Sequence, residues 1–236
     1  MEFRKARLAA LLAAAVIAGC STTTPTRTTV YEQPSAPKVG IAPAALTAAR
    51  TQLATMTTEA RIGATLQWAE TYLDQQRAAD AAQLLADLNP QAMDNAQRFA
   101  WILLSGRAQL GDQRPDQALA LLQRYEDEIL QYPAEQQARL DLLRADALAM
   151  KGDLISSLQQ RVAAHPLLEE DDQDYNHGMI WQLLMKLSNT ELANAVEGSS
   201  GDLRGWLTLA QLYRDPIADL DAQVNRLNRW SAQWRT

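Results

Sequence analysis

Gln76-Arg77-Ala78-Ala79-Asp80-Ala81-Ala82 lines up with Gln113-Arg114-Pro115-Asp116-Gln117-Ala118-Leu119 thirty-seven residues later, and Leu84-Leu85 meets Leu121-Leu122 at the same offset. A self-match at that spacing marks a stacked unit that buries its apolar side only against neighbouring copies. Around it, alanine, leucine, glutamine and arginine dominate from Ala44 onward, β-branched residues are sparse, and no alternating apolar–polar pattern occurs. The first set favours helix, and the missing alternation argues against strands. Turn signals punctuate the stretch at Asn89-Pro90, Gly111-Asp112, Tyr132-Pro133, Gly152-Asp153, His165-Pro166, Gly198–Gly201 and Asp215-Pro216. The segments between them have helix-pair length, which predicts antiparallel helices joined by short turns.

Upstream of the second copy, Trp101, Leu104, Ser105 and Ala108 keep the spacing of a tetratricopeptide first helix. Leu140, Leu143, Arg144 and Ala147 echo it thirty-nine residues later, with Gly152-Asp153 in the turn that follows. Small residues such as Ala82, Ala108, Ala118 and Ala147 would let helices approach closely, while leucine and tryptophan fill the gaps. The expected fold is all-α, a tetratricopeptide-like stack of antiparallel helix pairs (an α-solenoid) with irregular helices closing its C-terminal side.

The N-terminus has a different character. Arg4, Lys5 and Arg7 precede eleven unbroken apolar residues, Leu8 to Ala18, which lead into Gly19-Cys20. A basic start, an apolar middle and a small-residue cleavage site form a secretory signal. Eleven helical residues cover roughly 16 Å against a hydrocarbon core of about 30 Å, too short to span it. Cys20 is the chain's only cysteine, and the segment resembles the lipobox of bacterial lipoproteins. That resemblance implies acylation of Cys20 as the new N-terminus, and Ser21 after it implies sorting to the outer membrane. An ordinary secretory signal with an incidental cysteine is the plainer alternative. Residues 21–43 interleave Ser21, Thr22–Thr24, Thr26, Thr28 and Thr29 with Pro25, Pro34, Pro37 and Pro43, a composition with too little apolar surface to offset ordering entropy. The expected organisation is a lipoprotein signal peptide over 1–19, a lipidated tether over 20–43 and the helical domain over 44–236.

A more specific resemblance lies further on. Ile180-Trp181-Gln182-Leu183-Leu184 is followed by Leu187-Ser188-Asn189-Thr190-Glu191-Leu192, then Leu203-Arg204-Gly205-Trp206-Leu207-Thr208-Leu209 and Trp230-Ser231-Ala232-Gln233-Trp234. Taken in order, with the lipobox and the tetratricopeptide-like helices, this set resembles the N-terminal domain of the LpoA-type penicillin-binding protein activator lipoproteins. The resemblance implies a non-enzymatic regulator of peptidoglycan synthesis, with a class A penicillin-binding protein as partner and the outer membrane reached through the lipid anchor. Members of that family continue into a periplasmic-binding-protein-like α/β domain, to which the synthase contact is attributed. This sequence stops at Arg235-Thr236, so the expected role is that of the helical spacer. Two other readings stay open: a tetratricopeptide adaptor lipoprotein for outer-membrane protein assembly or secretion, and a superhelical peptidoglycan-cleaving enzyme.

Composition narrows the function classes. Removing residues 1–19 takes away Arg4, Lys5, Arg7 and Glu2, leaving 19 basic and 27 acidic side chains and a net charge near −8. That balance is poor for nucleic acid, which rewards basic surface, and supplies no polybasic patch for an anionic membrane. A single cysteine allows no intramolecular disulfide, so stability must come from an apolar core. Glu169, Glu170, Asp171, Asp172 and Asp174 lack the spacing of a calcium loop and read as a solvated loop leading into a helix at Tyr175. His165 and His177 have no further ligand at metal spacing, so no metal or other cofactor is expected. Glu126, Asp127 and Glu128 beside Arg124 read as a solvated helix face, and no nucleophile or phosphate-loop motif occurs. Of six tryptophans, Trp68, Trp101, Trp181 and Trp206 sit at helical spacing with leucines and read as core. Trp230 and Trp234, one turn apart on the last helix, are the candidate docking surface.

Overall fold

The computed structural model describes residues 42–215 and 219–234. Cys20, the leader and nearly all of the tether lie outside the described residues, as does Pro216. Among the described residues the structure is helical, without strands. The helices are α1 (Leu46–Ala54), α2 (Thr58–Asp74), α3 (Ala78–Ala86), α4 (Asn95–Gly111), α5 (Pro115–Arg124), α6 (Glu126–Ile129), α7 (Ala134–Met150), α8 (Leu154–Ala164), α9 (Glu170–Lys186), α10 (Asn189–Gly198), α11 (Gly201–Arg214) and α12 (Leu220–Trp234). Two short 3-10 turns sit at Pro90–Ala92 and His165–Leu167.

The repeat seen in the sequence is a repeat of backbone geometry. Gln76, Gln113 and Gly152 each end a long helix with positive φ, at 60°, 59° and 85°. At each turn the next amide reaches five residues back: Arg77 N–H to Tyr72 O at 2.7 Å, Arg114 N–H to Gln109 O at 2.8 Å, and Asp153 N–H to Leu148 O at 3.0 Å. The left-handed residue itself donates three residues back in all three turns. This is the Schellman closure, which satisfies carbonyls that a helix end leaves open. It returns the chain antiparallel, so α2/α3, α4/α5 and α7/α8 form hairpins, and α2, α4 and α7 pack side by side. Only the third turn uses glycine, the residue with no steric penalty at positive φ.

Small residues set the distances between helices. Ala108, Ala118 and Ala147 are fully buried, and in the first copy Ala81, rather than the expected Ala82, is the buried alanine. A Cβ added at Gly106 on α4 would collide with a methyl of Leu143 on α7, and one at Gly111 would lie 2.6 Å from the Ala78 methyl. Trp68, Tyr72 and Phe99 fill the N-terminal core. The Tyr72 hydroxyl donates to Pro43 O at 2.7 Å, and Ala42 is buried beside it. Trp101 is half-buried, donates its indole N–H to Leu85 O at 3.1 Å, and meets Tyr125 edge-on at 5.7 Å.

Charged residues do more packing than the sequence reading allowed. Glu126 pairs with Arg144 of α7 at 2.7 Å, and Glu128 accepts from Arg98 of α4 and from the Tyr132 hydroxyl. The short helix α6 is therefore a strut between α4 and α7 rather than a solvated face. The acidic run is also not a loop: α9 starts at Glu170, and Glu170, Asp171 and Asp172 form its first turn, where the helix dipole favours negative charge. Asp172 is 5% exposed, with Arg139 of α7 at 3.7 Å.

At the join between the hairpins and the C-terminal helices lies Arg161 on α8, 1% exposed. Its guanidinium donates to Asp146 Oδ1 on α7 and, at 3.0 Å, to Asn176 Oδ1 on α9, while Asn176 Nδ2 donates back to Arg161 O at 2.9 Å. One side chain thus holds three helices. Truncating a fully buried side chain of this size leaves a cavity and strands the buried Asn176 amide, at a cost of about 3–5 kcal/mol. Arg161→Ala is expected to destabilise the domain by about that amount in urea denaturation. Arg161→Met should cost less, since it refills the volume and Asp146 can turn to water.

Candidate functional site

The C-terminal helices carry the groups that the sequence singled out. Gly205 on α11 is buried, and its lack of a side chain makes the seat for α12. The Trp230 indole N–H donates to Gly205 O at 2.8 Å, and a Cβ at Gly205 would lie 3.0 Å from the Trp234 ring. Both tryptophans are half-buried, and no residue of α12 is fully buried. The other end of α12 is tied to α11 by Gln223 Nε2, which donates to Leu212 O at 3.1 Å, and by Arg226 to the Asp215 carbonyl at 3.1 Å. The structure therefore brings Trp230 and Trp234 together on one glycine, where they hold α12 to α11 while keeping part of each ring open.

Beneath that seat, α9–α11 are pinned by caps. Ser188 and Glu191 form a reciprocal capping box at the start of α10, which holds the Glu191 carboxyl below its ordinary range. Arg214 from the end of α11 donates to Leu184 O at 2.7 Å and Leu187 O at 2.6 Å, closing the C-terminus of α9. Trp181 and Trp206 pack half-buried against the apolar cluster of Leu158, Ile180 and Leu207. A cleft of about 370 Å³ between α8, α10 and α11 is floored by Ile155, Ala195 and Leu203 and rimmed by Gln159 and Asn194.

Sequence reasoning treated the two histidines separately, but the fold stacks them. His165, in the 3-10 turn after α8, lies 4.1 Å from the ring of His177 on α9, which is itself 5.4 Å from Trp206 on α11. Burial pushes the His165 imidazole below its ordinary value, and His177 adds to that. Sequence reasoning also missed Glu70 and Asp141, whose carboxyls burial raises while neighbouring Arg107 and Arg144 pull the other way. These carboxylates tie adjacent long helices or adjacent turns through arginine. Among the described residues no group of three or more His, Cys, Asp or Glu is placed to hold a metal, and no helix is long and apolar enough to cross a membrane.

The Gly205 seat makes a local expectation. Gly205→Leu should unseat both indoles and free α12, seen as a red-shifted tryptophan emission and lost amide protection in 220–234. Protection in α2–α8 should stay as it was, because the hairpins do not rest on α12.

Comparison with known proteins fits this architecture. A family described as "LppC putative lipoprotein" matches residues 51–236. Penicillin-binding protein activator LpoA of Escherichia coli K12 is 28% identical over 231 residues, covering 96% of this chain and 32% of that protein. The same-named protein of Edwardsiella ictaluri is 27% identical over 157 residues, 65% of this chain and 22% of that protein. The chain thus spans about a third or less of the curated relatives it matches. Among solved structures, full-length Haemophilus influenzae LpoA superposes with a TM-score of 0.65 at 20% identity, over 83% of this chain and 36% of that one. The amino-terminal domain of E. coli LpoA gives 0.59 at 22% identity, over 82% of this chain and 85% of that one. The fold shared with those amino-terminal domains and the family match over most of its length lead to one assignment: the chain belongs to the LppC lipoprotein family.

Proposed function

We propose that this chain is a lipid-anchored regulator of peptidoglycan synthesis, held at the periplasmic face of the outer membrane and acting on a class A penicillin-binding protein without catalysing a reaction itself. The observation that carries this reading is the match of residues 51–236 to the lipoprotein family, together with the likeness to the helical domain of proteins named penicillin-binding protein activators. In this reading Cys20 is the acylated residue, the segment from it up to the packed Ala42 and Pro43 is the tether, and the helical stack is a spacer that holds an effector surface near the synthase. Tethering acts through effective concentration: a surface confined within reach of its target binds far more often than a free one. The exposed edges of Trp230 and Trp234 are the proposed docking surface, since aromatic side chains supply large contact area at low entropic cost.

Adding the chain from Ser21 to Thr236 to a purified class A penicillin-binding protein with lipid-linked precursor is expected to reveal binding, with peptide cross-linking followed in the same reaction. Faster cross-linking identifies the helical domain as an activator in its own right; binding alone identifies a docking arm. Absence of both overturns the docking surface at Trp230 and Trp234, leaving a spacer separated from its effector or an adaptor for outer-membrane assembly. Cys20→Ser is expected to move the protein from the membrane fraction to the soluble fraction, since an acyl chain contributes about 0.8 kcal/mol per buried CH₂.

A further inference from the structure

The stack of His165, His177 and Trp206 joins three separate elements: the 3-10 turn after α8, helix α9 and helix α11. Its geometry suits neutral rings. The imidazoles lie 4.1 Å apart and tilted by 36°, a contact that two imidazolium ions would oppose. His165 Nδ1 is buried with no hydrogen-bond partner, so a proton placed there has no acceptor. We propose that this array is an acid-sensitive clamp: with both imidazoles neutral it fastens α9 and α11 to the end of α8, and double protonation forces the rings apart and loosens α11 together with the α12 it carries.

Around His165, the opposing charge of Asp202 offsets this repulsion only in part. Arg161, one turn before His165 on α8, is engaged by Asp146 of α7 and Asn176 of α9. Arg139 of α7 is engaged by Glu135, Glu169 and Asp172. Asp202 at the start of α11 faces His165 and favours its protonated form, but ranks behind burial and behind His177 in its effect. Asp202 attracts a proton on His165, but two cationic rings 4.1 Å apart would repel each other. The sign follows from linkage. His165 is harder to protonate folded than unfolded, so the unfolded or opened state takes up more protons as pH falls below the ordinary imidazole value. The clamp's contribution is complete above that value and is lost as pH falls through the folded one.

The test is amide hydrogen exchange of the full chain from pH 7.5 to pH 5, read as protection factors in α9, α11 and α12 against α2–α5 as internal reference. Protection in α11 is expected to fall on the order of ten-fold with acid, and to stay level in His165→Gln and in His177→Phe, which keeps an aromatic ring against Trp206. An equal fall in both variants overturns the proposal. In the unaltered protein, NMR titration of the imidazole Cε1–H signals is expected to show the second proton arriving together with the loss of α11 protection. Two protons taken up with α11 still protected also overturn it.

Discussion

The buried guanidinium of Arg161 is the constraint on which the architecture turns. It stands where three regular hairpins give way to less regular helices, and reaches α7, α8 and α9 at once. A charge this deep is tolerated only when its partners are fixed in place, so the angle between the hairpin stack and the C-terminal helices is set by polar geometry as well as by apolar contact. Asn176 completes the arrangement by returning a hydrogen bond to the Arg161 carbonyl, which makes the join between α8 and α9 two-sided.

Away from that join, the fold is governed by close approach. Buried alanines at Ala81, Ala108, Ala118 and Ala147, and the glycines Gly106, Gly111 and Gly205, sit where a larger side chain would collide with the next helix. Arginines then bridge the remaining gaps to carboxylates of neighbouring elements: Arg107 to Glu70 and Asp74, Arg98 to Glu128, Arg144 to Glu126. Partly exposed pairs of this kind contribute little stability one by one. Their value lies in register, since each fixes which turn of one helix faces which turn of the next. Together these pairs and close approaches fix how each helix sits against the next.

Such fixed packing gives meaning to a tethered arrangement. A lipid on Cys20 and a Pro/Thr-rich segment would set how far the domain can travel, while the helical stack sets the direction in which its far end points. The C-terminal helices sit at that far end of the chain order, and they are held by specific small devices: the Arg214 caps on α9, the Gly205 seat and the histidine stack. Devices of this type can be loosened one at a time, whereas the hairpins rest on many fully buried side chains.

Much of the fold was legible in the sequence because it is written in local terms. The helix breaks and the repeat offsets of thirty-seven and thirty-nine residues are short-range patterns, and the Schellman turns at Gln76, Gln113 and Gly152 follow those offsets in three dimensions. The tertiary structure decided what depends on residues far apart in the chain. It turned the acidic run into the first turn of α9 facing Arg139, made α6 a strut, moved the buried position from Ala82 to Ala81, and stacked two histidines that had looked unrelated. It also placed Trp230 and Trp234 on Gly205, twenty-five and twenty-nine residues earlier. The physical reason is one of range. Propensity, periodicity and turn chemistry act over a few residues and can be read along the chain, whereas the environment of a charge or a ring is set by whichever helix packs opposite it.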